Sequence, residues 1–308
     1  MNSGSFLTSW TFDPYITVLA GLPTIAFFMG KRLYSAKDAS AQTANREIDQ
    51  TSQPLFLVGV AILVIATMSP INHFSHIYLW TRILQSLLLI AYGPALIAMS
   101  APWSYLRVGF AIILRRNGGA DSSTSGNKNP IWRFLSVPLV AFIIYNAAMV
   151  MWLVPSSISF VERYTLANEA MHISLVMVGL LLWIHLVDSP PFQPRVAPLI
   201  KRVVPTYFTV VISWVFAMVL GFANAPFYHV YMTSANSLSP MADQEIASAI
   251  LFIIVGGPFV YAGVNNTRRW MASENEYRDK PKIEGRGELK GGPTPNDSKK
   301  KRKIPGLT

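Results

Sequence analysis

The stretch "LWTRILQSLLLIAYGPALIAMSA", residues 79–101, decides the fold of this chain. Its only charged residue is Arg82, which lies near its start. The hydrocarbon core of a membrane is about 30 Å thick, which takes about 20 helical residues to cross. The stretch therefore predicts a transmembrane helix rather than a helix of a soluble domain.

The same pattern recurs along the chain. Hydrophobic residues make up 51% of it and charged residues 14%, against about 25% charged residues in soluble domains. Backbone groups in lipid must be hydrogen-bonded within their own segment, so each apolar run is predicted to be a helix. We predict an all-α, polytopic membrane protein, a seven-transmembrane-helix bundle, whose first apolar run is retained as a span. The predicted spans are 14–30, 54–70, 79–101, 133–153, 169–187, 204–223 and 246–264.

The positive charges predict the orientation of the bundle. Of the 26 Lys and Arg residues, 24 lie in the segments that follow the first, third, fifth and seventh spans. Because cytoplasmic segments carry an excess of Lys and Arg, we predict that the N-terminus lies outside and the C-terminus in the cytoplasm. The predicted domains are a seven-helix transmembrane domain, 1–271, and a disordered basic cytoplasmic tail, 272–308.

Two further polar segments carry predictions. The loop after span three begins with an expected interfacial amphipathic helix, "WSYLRVGFAIILRR" (103–116), and continues as a flexible linker. In the tail, "KKKRK" (299–303) is typical of attraction to anionic membrane lipids, and we expect no nucleic-acid partner.

Several functional classes are excluded or unsupported. The chain has no cysteine, which excludes disulfides, thiolate zinc sites and iron–sulfur clusters. It has no phosphate-binding glycine loop, no nucleophile elbow and no H-E-x-x-H, so we predict a protein that is not an enzyme. The seventh span has no lysine, which excludes a retinal pigment.

Histidines near the predicted outer face are the candidate metal ligands. They are His172, His73, His76 and His229. Imidazole binds copper, zinc and iron, and thioether sulfur suits Cu(I), so histidines among outer-face methionines make copper a possible cofactor. The alternative is that histidines sit at a membrane interface without binding a metal, and that methionines fill gaps in helix packing.

Arg82 is the other candidate, because charges inside predicted spans are usually functional. Its side chain either extends back to the membrane surface or pairs with Glu169 or Asp243 from neighbouring outer segments.

Six stretches, in order along the chain, resemble the CtaG family of assembly factors for caa-type cytochrome c oxidase. The most specific is "LSPMADQEIASAILFIIVGG" (238–257), which contains Asp243 and Gln244. The others are "WTFDP" (10–14), "MSPI" (68–71), "LQSLLLIAYGPALIAMSAPW" (84–103), "MWLVP" (151–155) and "HISLVMVGLLLW" (172–183).

The chain departs from the family pattern at most of its histidines. Gln85 is retained, but Arg82, Ser86, Leu153 and Asn168 stand where the resemblance implies histidines. Met171 stands at the position of a family glutamate, and His172 is the one histidine of this set that is kept.

The resemblance implies a multi-pass protein of the bacterial cell (plasma) membrane that acts as a factor for assembly of cytochrome c oxidase. Such a factor assists copper delivery at the outer face, or holds an oxidase subunit while copper is inserted, and the missing histidines favour the second role. We expect His172, Asp243 and Gln244 to form the functional outer cluster, with Arg82 and Gln85 nearby. Alternatives are a small-solute or metal-ion membrane transporter, or a structural subunit or sensor of a respiratory complex. The expected partners are oxidase subunits and membrane lipids.

Overall fold

All regular secondary structure in the described part of the chain is helical in the computed structural model. The structure describes residues 10, 12–37, 51–114, 134–135, 137–187, 189, 200–232 and 237–279. The helices are α1 (Pro14–Lys37), α2 (Gln53–Met68), α3 (Pro70–Ser75), α4 (Leu79–Leu87), α5 (Gly93–Met99), α6 (Trp103–Ile113), α7 (Pro138–Leu153), α8 (Pro155–Arg163), α9 (Thr165–Leu186), α10 (Ile200–Gly221), α11 (Pro240–Ile254) and α12 (Gly256–Asp279). A π-helical turn, Leu88–Tyr92, joins α4 to α5, and His229–Tyr231 forms a 3₁₀ turn.

Five helical segments are long and apolar enough to cross a membrane. They are Pro14–Leu33, Leu79–Met99, Thr165–Leu186, Arg202–Gly221 and Pro240–Ala272. A sixth is obtained if α7 and α8, which meet at a bend of 69°, count as one broken span. The predicted second span is the 16-residue helix α2, about 24 Å long at 1.5 Å per residue, shorter than a typical hydrocarbon core.

Prolines break these helices, and neighbouring helices bond the carbonyl groups that the prolines leave free. Proline has no N–H to donate to the carbonyl four residues earlier. Pro258 thus frees the carbonyl of Ile254, which accepts a hydrogen bond of 2.7 Å from the Tyr92 hydroxyl. Pro70 frees the carbonyl of Ala66, which accepts one of 2.9 Å from Gln85 Nε2. These bonds join separate helices at the points where each backbone ladder is interrupted.

The helix α6 packs closely on α1. A Cβ atom on Gly109 would lie 1.8 Å from the carbonyl oxygen of Ala26, and one on Gly30 would lie 2.0 Å from that of Tyr105. Only glycine permits this approach, a packing mode common between membrane helices. The helix predicted after span three is present as α6, and it lies against α1. The predicted flexible linker beyond it lies outside the described residues.

Apolar side chains cover much of the outer surface of the helices. On α10, Phe208, Val211, Val215 and Val219 are all about half exposed and follow a helical spacing. An exposed apolar surface of this kind is typical of helices that contact lipid or another protein. The chain divides into two compact units, Met1–Trp270 and Met271–Thr308. Of the predicted tail, residues beyond Asp279 lie outside the described part.

Candidate functional site

Polar side chains gather at one end of the bundle, where α1, α4, α9 and α11 begin and α2, α7 and α10 end. We call this the polar end. Its centre is Arg82 on α4, which is 1% exposed. Nη1 of Arg82 donates to Asn168 Oδ1 at 2.8 Å and to Gln85 Oε1 at 3.1 Å, and Nη2 is paired with Glu162. Burial of a guanidinium requires such partners, because an unpaired buried charge is very costly.

Glu162, on the short helix α8, is the ion-pair partner of Arg82. The prediction named Glu169 or Asp243, or extension to the membrane surface, and it missed this residue. The sequence prediction placed Glu162 in a loop between two spans. In the structure it lies on α8, which is bent by 69° relative to α7, and it contacts Arg82. The same carboxylate lies 2.6 Å from His76 Nδ1 and 3.5 Å from the Tyr231 hydroxyl. Burial raises the pKa of Tyr231, so its hydroxyl stays protonated and can donate.

Gln85, Asp243 and Gln244 hold helix ends together. Besides the Ala66 carbonyl, Gln85 donates to Asn72 at 2.9 Å. The two oxygens of Asp243 accept from the first two backbone amides of α4 at 2.9 and 3.0 Å, where a negative charge also favours the helix dipole. Gln244 donates to the carbonyl of Leu220 at 3.0 Å and accepts from the amide of Phe227 at 2.8 Å. All three side chains are buried and have a structural role.

The four candidate histidines have different surroundings. His73 and His229 are exposed, and His76 is 43% exposed beside Glu162. His172 is 1% exposed on α9. Within the described ranges, no group of three histidine, aspartate or glutamate ligand atoms within 4.8 Å of one another includes His73, His76 or His229. Only His172 belongs to such a group.

That group consists of Asp13, Glu169 and His172, and we call it the α1–α9 cluster. One ligand atom from each residue lies within 4.8 Å of the other two. Asp13 precedes α1, and its Oδ1 accepts from the backbone amides of Tyr15 and Ile16 at 2.9 and 3.0 Å. On α9, His172 Nδ1 lies 3.9 Å from Glu169 Oε2. The cluster therefore joins the start of α1 to the first turns of α9.

The sequence prediction missed three of these residues as functional candidates: Asp13, Glu162 and Asn168. An aspartate immediately before Pro14 is a typical helix N-cap, so the sequence could indicate the capping role of Asp13. Its approach to α9 depends on tertiary packing. Glu162 and Asn168 carry no local signal, because their partner Arg82 is about eighty residues away in the sequence.

Comparison with known protein families identifies the chain. Searches of curated proteins and of solved structures give no significant match. The sequence profile of the cytochrome c oxidase caa3 assembly factors, the CtaG family, matches residues 27–273, which includes nearly all of the helical bundle. The chain belongs to the CtaG family of cytochrome c oxidase caa3 assembly factors.

Proposed function

We propose that this chain assists the assembly of cytochrome c oxidase by holding an oxidase subunit at the polar end of its bundle. The family match over residues 27–273 carries the proposal. We further propose that the polar end faces the outside of a bacterial cell membrane, as the positive charges predict. We also propose that α2 and the bent pair α7–α8 each cross the membrane once, which with the five long helical segments gives seven spans.

The network of Arg82 favours a holding role over donation of copper. Arg82 and Asn168 stand where the resemblance implies histidines, and they are hydrogen-bonded to each other at 2.8 Å. A guanidinium has no acceptor and cannot bind a metal. Its positive charge also opposes a cation at that place. Two of the positions where the resemblance implies histidines therefore support a fixed ion pair with Glu162.

The donor atoms at the remaining histidine also favour the holding role. Cu(I), as cargo, prefers thiolate, thioether and imidazole ligands. The chain has no cysteine, and the α1–α9 cluster offers one imidazole and two carboxylates. This donor set does not fit Cu(I), so we derive no copper transfer through it.

A capture experiment tests the holding role. A tagged chain is cross-linked in cells while new oxidase is being synthesised, and again after synthesis has been stopped. We expect an oxidase subunit in the first sample and little in the second. A partner retained in equal amount in both samples would support the structural-subunit alternative. Absence of oxidase subunits from both samples would contradict the proposal, and a transport assay would then test the transporter alternative.

The proposed orientation can be tested with single cysteines, because the natural chain has none to remove. His73→Cys places a thiol on an exposed residue of the polar end, and Ser298→Cys places one in the basic tail. A membrane-impermeant maleimide should label His73→Cys in intact cells and Ser298→Cys only after permeabilisation. The reverse labelling would contradict the orientation.

A further inference from the structure

The α1–α9 cluster contains a buried histidine with no hydrogen bond. His172 is 1% exposed, and among the described residues neither of its ring nitrogens has a hydrogen-bond partner. Oε2 of Glu169, 3.9 Å from His172 Nδ1, also lacks one. Buried polar atoms are nearly always hydrogen-bonded, because leaving them unpaired is costly. His172 Nδ1 and Glu169 Oε2 are therefore two neighbouring unpaired atoms that a ligand could engage.

The two carboxylates of the cluster indicate the charge of that ligand. Asp13 is 6% exposed and the Glu169 side chain 14% exposed. Two carboxylates this close in a buried place cannot both stay ionised unless a cation or a shared proton lies between them. Arg82 is near enough to act electrostatically on His172, but its own charge is balanced by Glu162. Asp13 and Glu169 are also hydrogen-bonded to each other, so the negative charge of the cluster is balanced either by a proton shared between them or by a bound cation.

We propose that Asp13, Glu169 and His172 together bind one divalent transition-metal cation through one imidazole nitrogen and two carboxylate oxygens. This donor set suits Zn²⁺ and similar borderline cations, whereas Cu(I) prefers sulfur and several imidazoles. Three protein ligands leave a position for water, as in open zinc sites.

The geometry needs only a small adjustment to hold the ion. Ligand atoms on a tetrahedral Zn²⁺ with bonds of about 2.1 Å lie about 3.4 Å apart. The distance from His172 Nδ1 to Glu169 Oε2 is 3.9 Å, and the largest separation in the cluster is within 4.8 Å. Glu169 is the most exposed of the three residues, so we expect its side chain to make this adjustment. Oδ1 of Asp13 caps α1, and an ion bound here replaces the hydrogen bond between the Asp13 and Glu169 carboxyl groups.

Metal counting on the full chain tests the proposal. The protein is purified in detergent with a tag that contains no histidine, stripped with a chelator and dialysed against Zn²⁺. We expect about one Zn²⁺ per wild-type chain in this site, and at least about 10-fold weaker binding in Glu169→Gln, Asp13→Asn and His172→Ala. His229→Ala is the matched control, because His229 is exposed and lies outside the cluster, and it should bind as the wild type does.

The choice of variants distinguishes the loss of a metal ligand from misfolding of the protein. Asn caps helices about as well as Asp, so Asp13→Asn keeps the cap of α1 while it removes one charge. Zn²⁺ should raise the melting temperature of the wild type and of His229→Ala, and leave that of the folded cluster variants unchanged. Equal Zn²⁺ binding by wild type and His172→Ala, or no binding by wild type, would overturn the proposal and leave a proton shared between the carboxylates. The proposal does not depend on the assembly role, so its failure would leave that role untouched.

Discussion

Removal of the buried guanidinium is the most informative perturbation of the polar end. Arg82→Met keeps much of the length of the side chain and removes its charge. The change leaves the carboxylate of Glu162, whose side chain is 10% exposed, without its main partner. It also removes the donor to Asn168 and Gln85. Breaking one side of a buried ion pair costs about 3–5 kcal/mol. Because His76 also contacts Glu162, we expect a loss of about 3 kcal/mol in the free energy of unfolding.

A second substitution tests the cause of this loss. Adding Glu162→Gln removes the stranded charge, so the double variant should regain part of the stability and lie about 1–2 kcal/mol below the wild type, which reflects the lost hydrogen bonds. The double variant is thus more stable than Arg82→Met alone, the signature of direct coupling. Arg163→Met is the matched control, because Arg163 is the exposed neighbour of Glu162, and its effect should stay within about 0.5 kcal/mol.

Reversible unfolding in mixed micelles, followed by tryptophan fluorescence, measures these free energies. A free energy of unfolding for Arg82→Met within about 1 kcal/mol of the wild-type value would refute the argument, because an unpaired buried charge destabilises a protein by more than that. A double variant no more stable than Arg82→Met would also refute it, since the charge of Glu162 would then contribute nothing to the loss.

Substitutions at three further positions test other helix contacts. Gln85→Leu should cost about 2 kcal/mol in the same unfolding assay, because it leaves the buried carbonyl of Ala66 without a donor. Asp243→Ala should cost about 1–2 kcal/mol, because the first two amides of α4 lose their acceptor; Asp243→Asn should lose less, and equal losses would mean that the cap contributes little. Gly109→Val should separate α6 from α1, because a Cβ there lies 1.8 Å from the carbonyl oxygen of Ala26; size-exclusion chromatography should show less monodisperse protein, and an unchanged profile and melting temperature would contradict this packing.

The class of the fold could be predicted from the sequence because apolar run length is a local property. The stretch 79–101 forms helix from Leu79 to Met99, interrupted by the π-helical turn at Leu88–Tyr92. Pro94 predicts this interruption, because proline has no N–H to donate to the carbonyl of Ile90. The number of spans was harder to predict from the sequence. Both α2 and α7 are 16-residue helices, and only the packing of the bundle shows that α8 bends back by 69°.

The sequence predicted several residues of the candidate site but not most of the contacts between them. The sequence singled out Arg82, Gln85, His172, Asp243 and Gln244, and all five are buried at the polar end. Gln85 lies three residues from Arg82 and Glu169 three residues from His172. The other partners could not be predicted, because they lie farther away in the sequence and are brought near by tertiary packing. Asp243 and Gln244 bond to backbone groups, a role that no pattern of side chains reveals.

The assembly role itself is tested most directly by deleting the gene in its own host and measuring assembled cytochrome c oxidase in the membranes. Oxidase activity, haem spectra and the copper content of the purified enzyme are compared in the parent, the deletion strain and the deletion strain complemented with the full chain. The account predicts a loss of assembled oxidase on deletion and recovery on complementation. Normal amounts of copper-replete oxidase in the deletion strain would contradict it.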